Sequence, residues 1–94
     1  MTTAPQTERV IQVSRGIIHP YAVILHNDDV HSMEYVVDAL VKSVPTLSEQ
    51  EATEVMMKAH SEGRAVVVVC PLEQAELYRD RLQTFGLGAS IEPA

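Results

Sequence analysis

The sequence predicts an α+β fold, a small sandwich in which three helices lie on one face of a three-stranded antiparallel sheet. Three observations carry that reading. Two short β-branched runs, at residues 21–26 and 64–70, are bounded by turn formers in the way strands are. Three other stretches place apolar residues at helical spacing, and two of them carry recognisable start and stop signals. A last short run at residues 89–92 follows two glycines. The order is strand, helix, helix, strand, helix, strand, and 94 residues suffice for one such domain.

The first strand, Tyr21-Ala22-Val23-Ile24-Leu25-His26, follows Pro20 and runs into Asn27-Asp28-Asp29-Val30-His31-Ser32, whose short polar side chains favour a turn. Ser32 stands where a helix N-cap belongs, and Met33, Val36, Val37, Leu40 and Val41 then recur on one helical face until Pro45 ends it. Ser48 and Glu51 form a capping box for a second helix with the stripe Ala52, Val55, Met56 and Ala59, closed by Gly63 in a left-handed conformation. His60 falls about 40° round that helix from Met56, which puts it at the margin of the buried face. Arg64-Ala65-Val66-Val67-Val68-Val69-Cys70 is the strongest strand, and four consecutive valines suggest a strand that is central or covered on both faces. Pro71 at a first helical position opens a third helix with Ala75, Tyr78, Leu82 and Phe85 on one side. Residues 1–16 hold only Val10, Ile11 and Val13 as clustered large apolar groups, too little to offset the entropy of ordering them. They are read as a flexible arm, with an edge strand at 10–13 as the alternative, and residues 17–94 as the core domain.

Charge and composition exclude several function classes. Seven basic and 13 acidic residues give a net charge of −6, with the arm at +1 and the body at −7. One Phe, three Tyr and no Trp leave little to stack on bases, so nucleic acid is not an expected partner. No apolar run approaches the ~20 residues of a membrane span, and the first residues lack the basic-then-apolar pattern of a secretory signal. Cys70 alone cannot form an internal disulfide, consistent with a reducing compartment.

The densest polar cluster is Asn27-Asp28-Asp29. Its carboxamide and carboxylates can accept hydrogen bonds from a cation, bind a hard metal or exchange protons. The plain alternative is a solvated turn. With His60 at the edge of a neighbouring helix, an imidazole and carboxylates would face one concavity. His19, His26, His31 and His60 show no zinc-ligand spacing, so no metal is expected. Cys70 has no neighbouring base and reads as an inert thiol; neither a glycine-rich phosphate loop nor a nucleophile elbow is present. Met33 and Met56 are either ordinary core or the adaptable lining of one pocket.

The combination of Asn27-Asp28-Asp29, then Met33-Glu34-Tyr35-Val36-Val37, Glu51-Ala52-Thr53 and His60-Ser61-Glu62-Gly63-Arg64-Ala65 resembles the ClpS adaptor family across residues 20–78. The resemblance implies an adaptor with no catalytic residue and no cofactor. Such a domain recognises bulky hydrophobic N-terminal residues (N-degrons) and delivers their bearers to a ClpA- or ClpC-type AAA+ unfoldase of the ClpP protease. It implies that Asn27, Asp29 and His60 hold the substrate's α-amino group, with Asp28 adding negative potential. Met33 then acts as gatekeeper against β-branched first residues, and Leu25, Val36, Met56, Ala59 and Leu87 line the hydrophobic pocket. Glu73, Ala75 and Glu76 match the start of the helix that faces the unfoldase's N-terminal domain. The family usually has Tyr-Thr-Pro where this chain has Val30-His31-Ser32, Val where Ala59 stands, and Lys where Tyr78 stands. Where the family commonly continues Gly-Val-Tyr-Thr, Val68-Val69-Cys70-Pro71 occurs here. The chain is expected to be a monomer of the bacterial cytoplasm or plastid stroma. A rival reading, an interaction domain resembling the C-terminal domain of the ribosomal stalk protein, would need no pocket.

Overall fold

The computed structural model describes residues 19–94, so the arm expected over residues 1–16, with its alternative strand at 10–13, lies outside the described residues. Six elements follow in the expected order: β1 (Pro20–His26), α1 (Met33–Ser43), α2 (Glu49–Glu62), β2 (Arg64–Pro71), α3 (Leu72–Thr84) and β3 (Ala89–Pro93). The strands form one antiparallel sheet in the order β2-β1-β3. α2 and α3 lie against the sheet, and α1 rests on α2 and α3. Among the described residues no helix is long and apolar enough to cross a membrane.

Local chemistry accounts for the boundaries. The Ser32 hydroxyl accepts the Tyr35 N–H at 3.1 Å and starts α1. Val44 ends it in an extended conformation (φ −124°, ψ 95°), because the ring of Pro45 crowds a helical residue before it. Ser48 and Glu51 close their capping box at 3.1 and 2.9 Å. Gly63 terminates α2 with φ +92°, a conformation that costs a side-chain-bearing residue about 1 kcal/mol or more. Pro71 differs from expectation. It is the last residue of β2 and caps α3 with ψ 155°, so the helix proper begins at Leu72.

The valine run also differs, and the reason is a bulge. β1, not β2, is the central strand, and β2 lies at an edge. The pairing steps from Val23 opposite Val68 to Ile24 opposite Val66, leaving Val67 unopposed. The extra residue shifts the inward-outward alternation by one. Ala65 and Val67 therefore enter the core, Val68 and Cys70 pack against it, and Val66 and Val69 remain about half exposed. Four valines in a row mark an alternation that slips, rather than two covered faces.

The core lies between sheet and helices and contains Val23 and Leu25 of β1, Val36, Ala39 and Leu40 of α1, Ala52, Met56 and Ala59 of α2, and Ala75 and Leu82 of α3. α1 is rotated from its expected face. The small Ala39 and Ser43 turn inward with Val36 and Leu40, leaving Met33 exposed and Val37 and Val41 half-buried along one side. On the sheet's other face Arg64, opposite His26, reaches diagonally across β1 to Glu92, opposite Ala22, at 2.6 Å. Ile24, midway between them on β1, is fully buried. If the bulge sets the faces of β2, Val67→Ala costs about 2 kcal/mol in urea denaturation, whereas Val66→Thr changes stability by less than ~0.5 kcal/mol. Equal effects would contradict the assigned register.

Candidate functional site

The carboxyl end of β1 is held from both sides. The His26 N–H donates to the Gly88 carbonyl and the Asn27 N–H to the Gly63 carbonyl, each at 2.9 Å. The first bond ties the strand to the turn before β3, the second to the turn after α2. Since Gly63 closes α2, the second bond also brings the last turn of that helix, with His60, to the loop that starts at Asn27.

That loop is organised by Asp28. Its Oδ1 accepts the Val30 and His31 N–H groups at 2.8 and 2.6 Å, and its Oδ2 lies 2.8 Å from His31 Nδ1. An ionised carboxylate only accepts, so Nδ1 carries a proton in this contact. Partial burial works against ionisation of Asp28, but the His31 N–H and ring, the Val30 N–H and the charge of a protonated His31 outweigh it. Together they hold the Asp28 carboxyl below its ordinary value. The His31 ring stacks on Tyr35 with centroids 4.5 Å apart, and the Tyr35 hydroxyl donates to the Phe85 carbonyl at 2.7 Å. Gly86, at φ +84°, completes this latch: a Cβ there would lie 3.3 Å from the imidazole Cε1.

Above the loop a recess of about 30 Å³ is walled by Leu25, His26, Asn27, Asp28, His31, Met33, Val36, Met56, Ala59 and His60. The structure thus brings together most of the residues anticipated from sequence: Asn27, Asp28 and His60 with Leu25, Met33, Val36, Met56 and Ala59. Asp29 is not a wall. It is exposed beside the recess, where its Oδ1 accepts the Asn27 Nδ2–H at 3.0 Å. Leu87 belongs to the core, at 3% exposure, and does not line the recess. His60 is exposed rather than at a half-buried margin. Ala75 has no exposed surface, being the small residue on which α3 sits closely, so its side chain cannot form a docking contact; Glu73 and Glu76 are exposed.

Two lining residues were not assigned to the site from sequence. His26, whose Nε2 lies 2.8 Å from Ser90 Oγ, ends β1 and carries no local signal of a site. His31 had one: it stands three residues after Asp28, the spacing at which an Asp side chain folds back onto later backbone N–H groups.

A volume of 30 Å³ is about one water's share of the liquid, less than a leucine side chain needs. Met33 is 49% exposed and unbranched, so it is the wall best able to swing aside. A cavity of about 500 Å³ lies next door between α1 and α2, without the Asn-Asp-His cluster. The smaller recess carries the convergent chemistry: an apolar floor with amide, carboxylate and imidazole groups at its mouth, able to accept hydrogen bonds from a cationic nitrogen. Burial pushes the Cys70 thiol up, away from the nucleophilic thiolate. Among the described residues no three His, Cys, Asp or Glu side chains converge in a way that could hold a metal ion.

Comparison with known proteins adds a family. Residues 18–90 match the family model of ClpS, the ATP-dependent Clp protease adaptor protein. A ClpS adapter protein of Synechococcus elongatus is 47% identical over 79 residues, covering 84% of this chain and 83% of the relative. The chloroplastic adapter protein CLPS1 of Arabidopsis thaliana is 40% identical over 92 residues, covering 98% of this chain and 58% of the relative. Among solved structures, Agrobacterium tumefaciens ClpS2 bound to L-phenylalaninamide superposes with a TM-score of 0.75 at 35% identity, covering 81% of this chain and 98% of that one.

The Asp28 latch has a pH signature. A carboxyl whose value is lowered by folding contributes stability above its unfolded value and loses it as pH falls through the folded one. Asp28→Asn is therefore expected to cost about 1 kcal/mol at neutral pH, with the difference from wild type shrinking as pH drops below the ordinary carboxylate range. Urea denaturation across pH measures it, and a difference that stayed constant into strong acid would refute the ionised latch.

Proposed function

Because this chain belongs to the ClpS family of Clp protease adaptors, we propose that its recess takes the first residue of a substrate polypeptide and that the domain hands this substrate to a Clp AAA+ unfoldase. The observation that carries the reading is the convergence, in one small recess, of apolar walls with Asn27, Asp28 and His60. The bound phenylalaninamide of the Agrobacterium relative supports it, since that ligand is a free α-amine beside an aromatic side chain.

The chemistry divides into two halves. The α-ammonium of a chain end offers three N–H donors and has a pKa near ~7.7–8, so near neutrality it is charged and meets the Asn27 carboxamide oxygen, the His60 imidazole and the Asp29 carboxylate. Each charge-assisted bond contributes about 1.5–3 kcal/mol, and burial of a leucine-sized side chain against Leu25, Val36, Met56 and Ala59 about as much again. The side-chain half alone falls well short of the about 8 kcal/mol of micromolar affinity, and the polar half must also offset the freedom lost on association. Requiring both selects free chain ends with a large hydrophobic first residue. Asp28, locked onto His31, adds negative potential and holds the loop in shape. Met33 swings to admit a slender side chain and clashes with one branched at Cβ, adjacent to the anchored nitrogen. The exposed Glu73 and Glu76 at the start of α3 form the acidic face offered to the N-terminal domain of a ClpA- or ClpC-type unfoldase. The domain acts as a monomeric, non-enzymatic adaptor without a cofactor. The cyanobacterial and chloroplastic relatives support a place in bacterial cytoplasm or plastid stroma.

Calorimetric titration is expected to show binding of L-phenylalaninamide that N-acetylation abolishes and that Asp29→Ala weakens at least ~10-fold, the equivalent of one charge-assisted bond. Undiminished binding of the acetylated ligand would remove the proposal. In a panel of peptides differing only in first residue, Met33→Ala is expected to admit Ile and Val while retaining Phe and Leu; continued exclusion would deprive Met33 of its gatekeeper role.

A further inference from the structure

We propose that His31 is a proton switch on substrate binding: its neutral imidazole leaves the charge of Asp28 free to attract the chain-end ammonium, and its protonated form cancels that charge. This rests on the reading of the recess just given. Three of the ten residues that wall the recess are histidines, His26, His31 and His60. An imidazole ordinarily changes charge between pH 5 and 8, so in a recess lined this way a proton and a cationic ligand compete. The three are not equivalent. His26 Nε2 is turned to Ser90 Oγ at 2.8 Å, and His60 is exposed at the mouth. The His31 ring, with its side chain 27% exposed, is fixed by Asp28 Oδ2 at 2.8 Å and by the stack on Tyr35.

The groups around this ring come from every element that meets the recess. Its own loop supplies Asp28 and Asp29, the end of β1 His26, α1 Tyr35 and α2 His60, while the turn after α3 supplies the uncharged Gly86. The carboxylate in direct contact is that of Asp28. With His31 neutral the pair carries −1; with His31 charged it carries zero, and the mouth loses a negative charge beside Asn27. Nδ1 donates to Asp28 in both forms, so the loop keeps its shape through the titration. The second proton belongs to Nε2, beside Gly86, where a Cβ would stand 3.4 Å away. Protonation of His31 therefore weakens binding by charge alone, without displacing Asn27 or Asp29. A positive charge added about 6 Å from another in water-like surroundings lowers affinity about threefold. By linkage, the same threefold is a downward move of about half a pH unit in the imidazole's midpoint when the ligand is bound.

Nuclear magnetic resonance of the histidine ring protons, followed from pH 8 to 5 in the full chain with and without saturating L-phenylalaninamide, reads each imidazole separately. The His31 midpoint is expected to fall by about half a pH unit on binding, while that of His19, before the opposite end of β1, stays where it was. In calorimetric titration, the loss of affinity between pH 7 and 5.5 is expected to be about threefold smaller in His31→Asn, whose amide can still donate to Asp28, than in the wild type. A His31 midpoint that ignores the ligand would overturn the switch, as would a variant that loses as much affinity in acid as the wild type. The wild-type resonances decide the matter even if the variant fails to fold. Binding at pH 7 separates the two failures. If L-phenylalaninamide binds and the His31 midpoint does not move, the proton switch alone is wrong; if it does not bind, the recess reading falls and the switch with it.

Discussion

The two backbone hydrogen bonds at the carboxyl end of β1, from His26 to Gly88 and from Asn27 to Gly63, decide where every polar group of the site can stand. β1 is the central strand, so its end is gripped by a turn on each side, and the chain leaving it cannot drift. Each bond contributes only about 1 kcal/mol of net stability. Its larger effect is geometric. It joins the first residue of the polar loop to the residue that closes α2, and so puts His60 opposite Asn27 at the mouth of an apolar recess. Without that anchor the same side chains would belong to unrelated surface turns.

Adjacent carboxylates have been given different work by their surroundings. Asp28, with its side chain only 10% exposed, spends its acceptor capacity on His31 and on backbone N–H groups, and becomes part of the scaffold. Asp29, exposed and held by the Asn27 amide, keeps acceptor capacity for a ligand. The latch extends through the stacked His31 and Tyr35 rings to the carbonyl of Phe85, so the loop before α1 and the turn after α3 form one unit. Gly86 suits that place on two counts, its positive φ and the imidazole that a Cβ would crowd at 3.3 Å. The loop therefore presents Asn27 and Asp29 with less freedom to lose on binding than a solvated turn would have.

Site chemistry and hydrophobic packing share the same few residues, which leaves little room for compromise. Met56 and Ala59 belong at once to the core and to the recess walls, so the recess is a continuation of the interior rather than a surface dent. Its volume is small, and the exposed Met33 at its edge is the wall with the most freedom to move. The surrounding acidity works in the same direction as the local acceptors, since a net charge of −6 raises the concentration of cationic ends near the molecule.

Much of this was legible in the residues alone, and where legibility stopped has physical causes. Ser32, Ser48, Glu51 and Gly63 announce helix ends through local hydrogen bonds that need no distant partner, and the six elements followed in order from such signals. Helical spacing placed His60 at a helix edge beside Met56 and allowed Met33 and Met56 to share a pocket, while the family resemblance supplied the site roles of Asn27 and Ala59. The slip of register at Val67 was hidden, because a bulge is decided by which strand lies opposite, and alternation within one strand cannot reveal it. Ala75 and Leu87 looked available to a partner or ligand, yet close packing of α3 and of the turn before β3 took them into the core. Local sequence determined the elements, their caps and the chemical character of the loop. Only the folded chain decided which edge β2 occupies, which face α1 buries, and that Asp28 turns to His31 while Asp29 stays open, because each depends on groups brought near by packing and not by position along the chain.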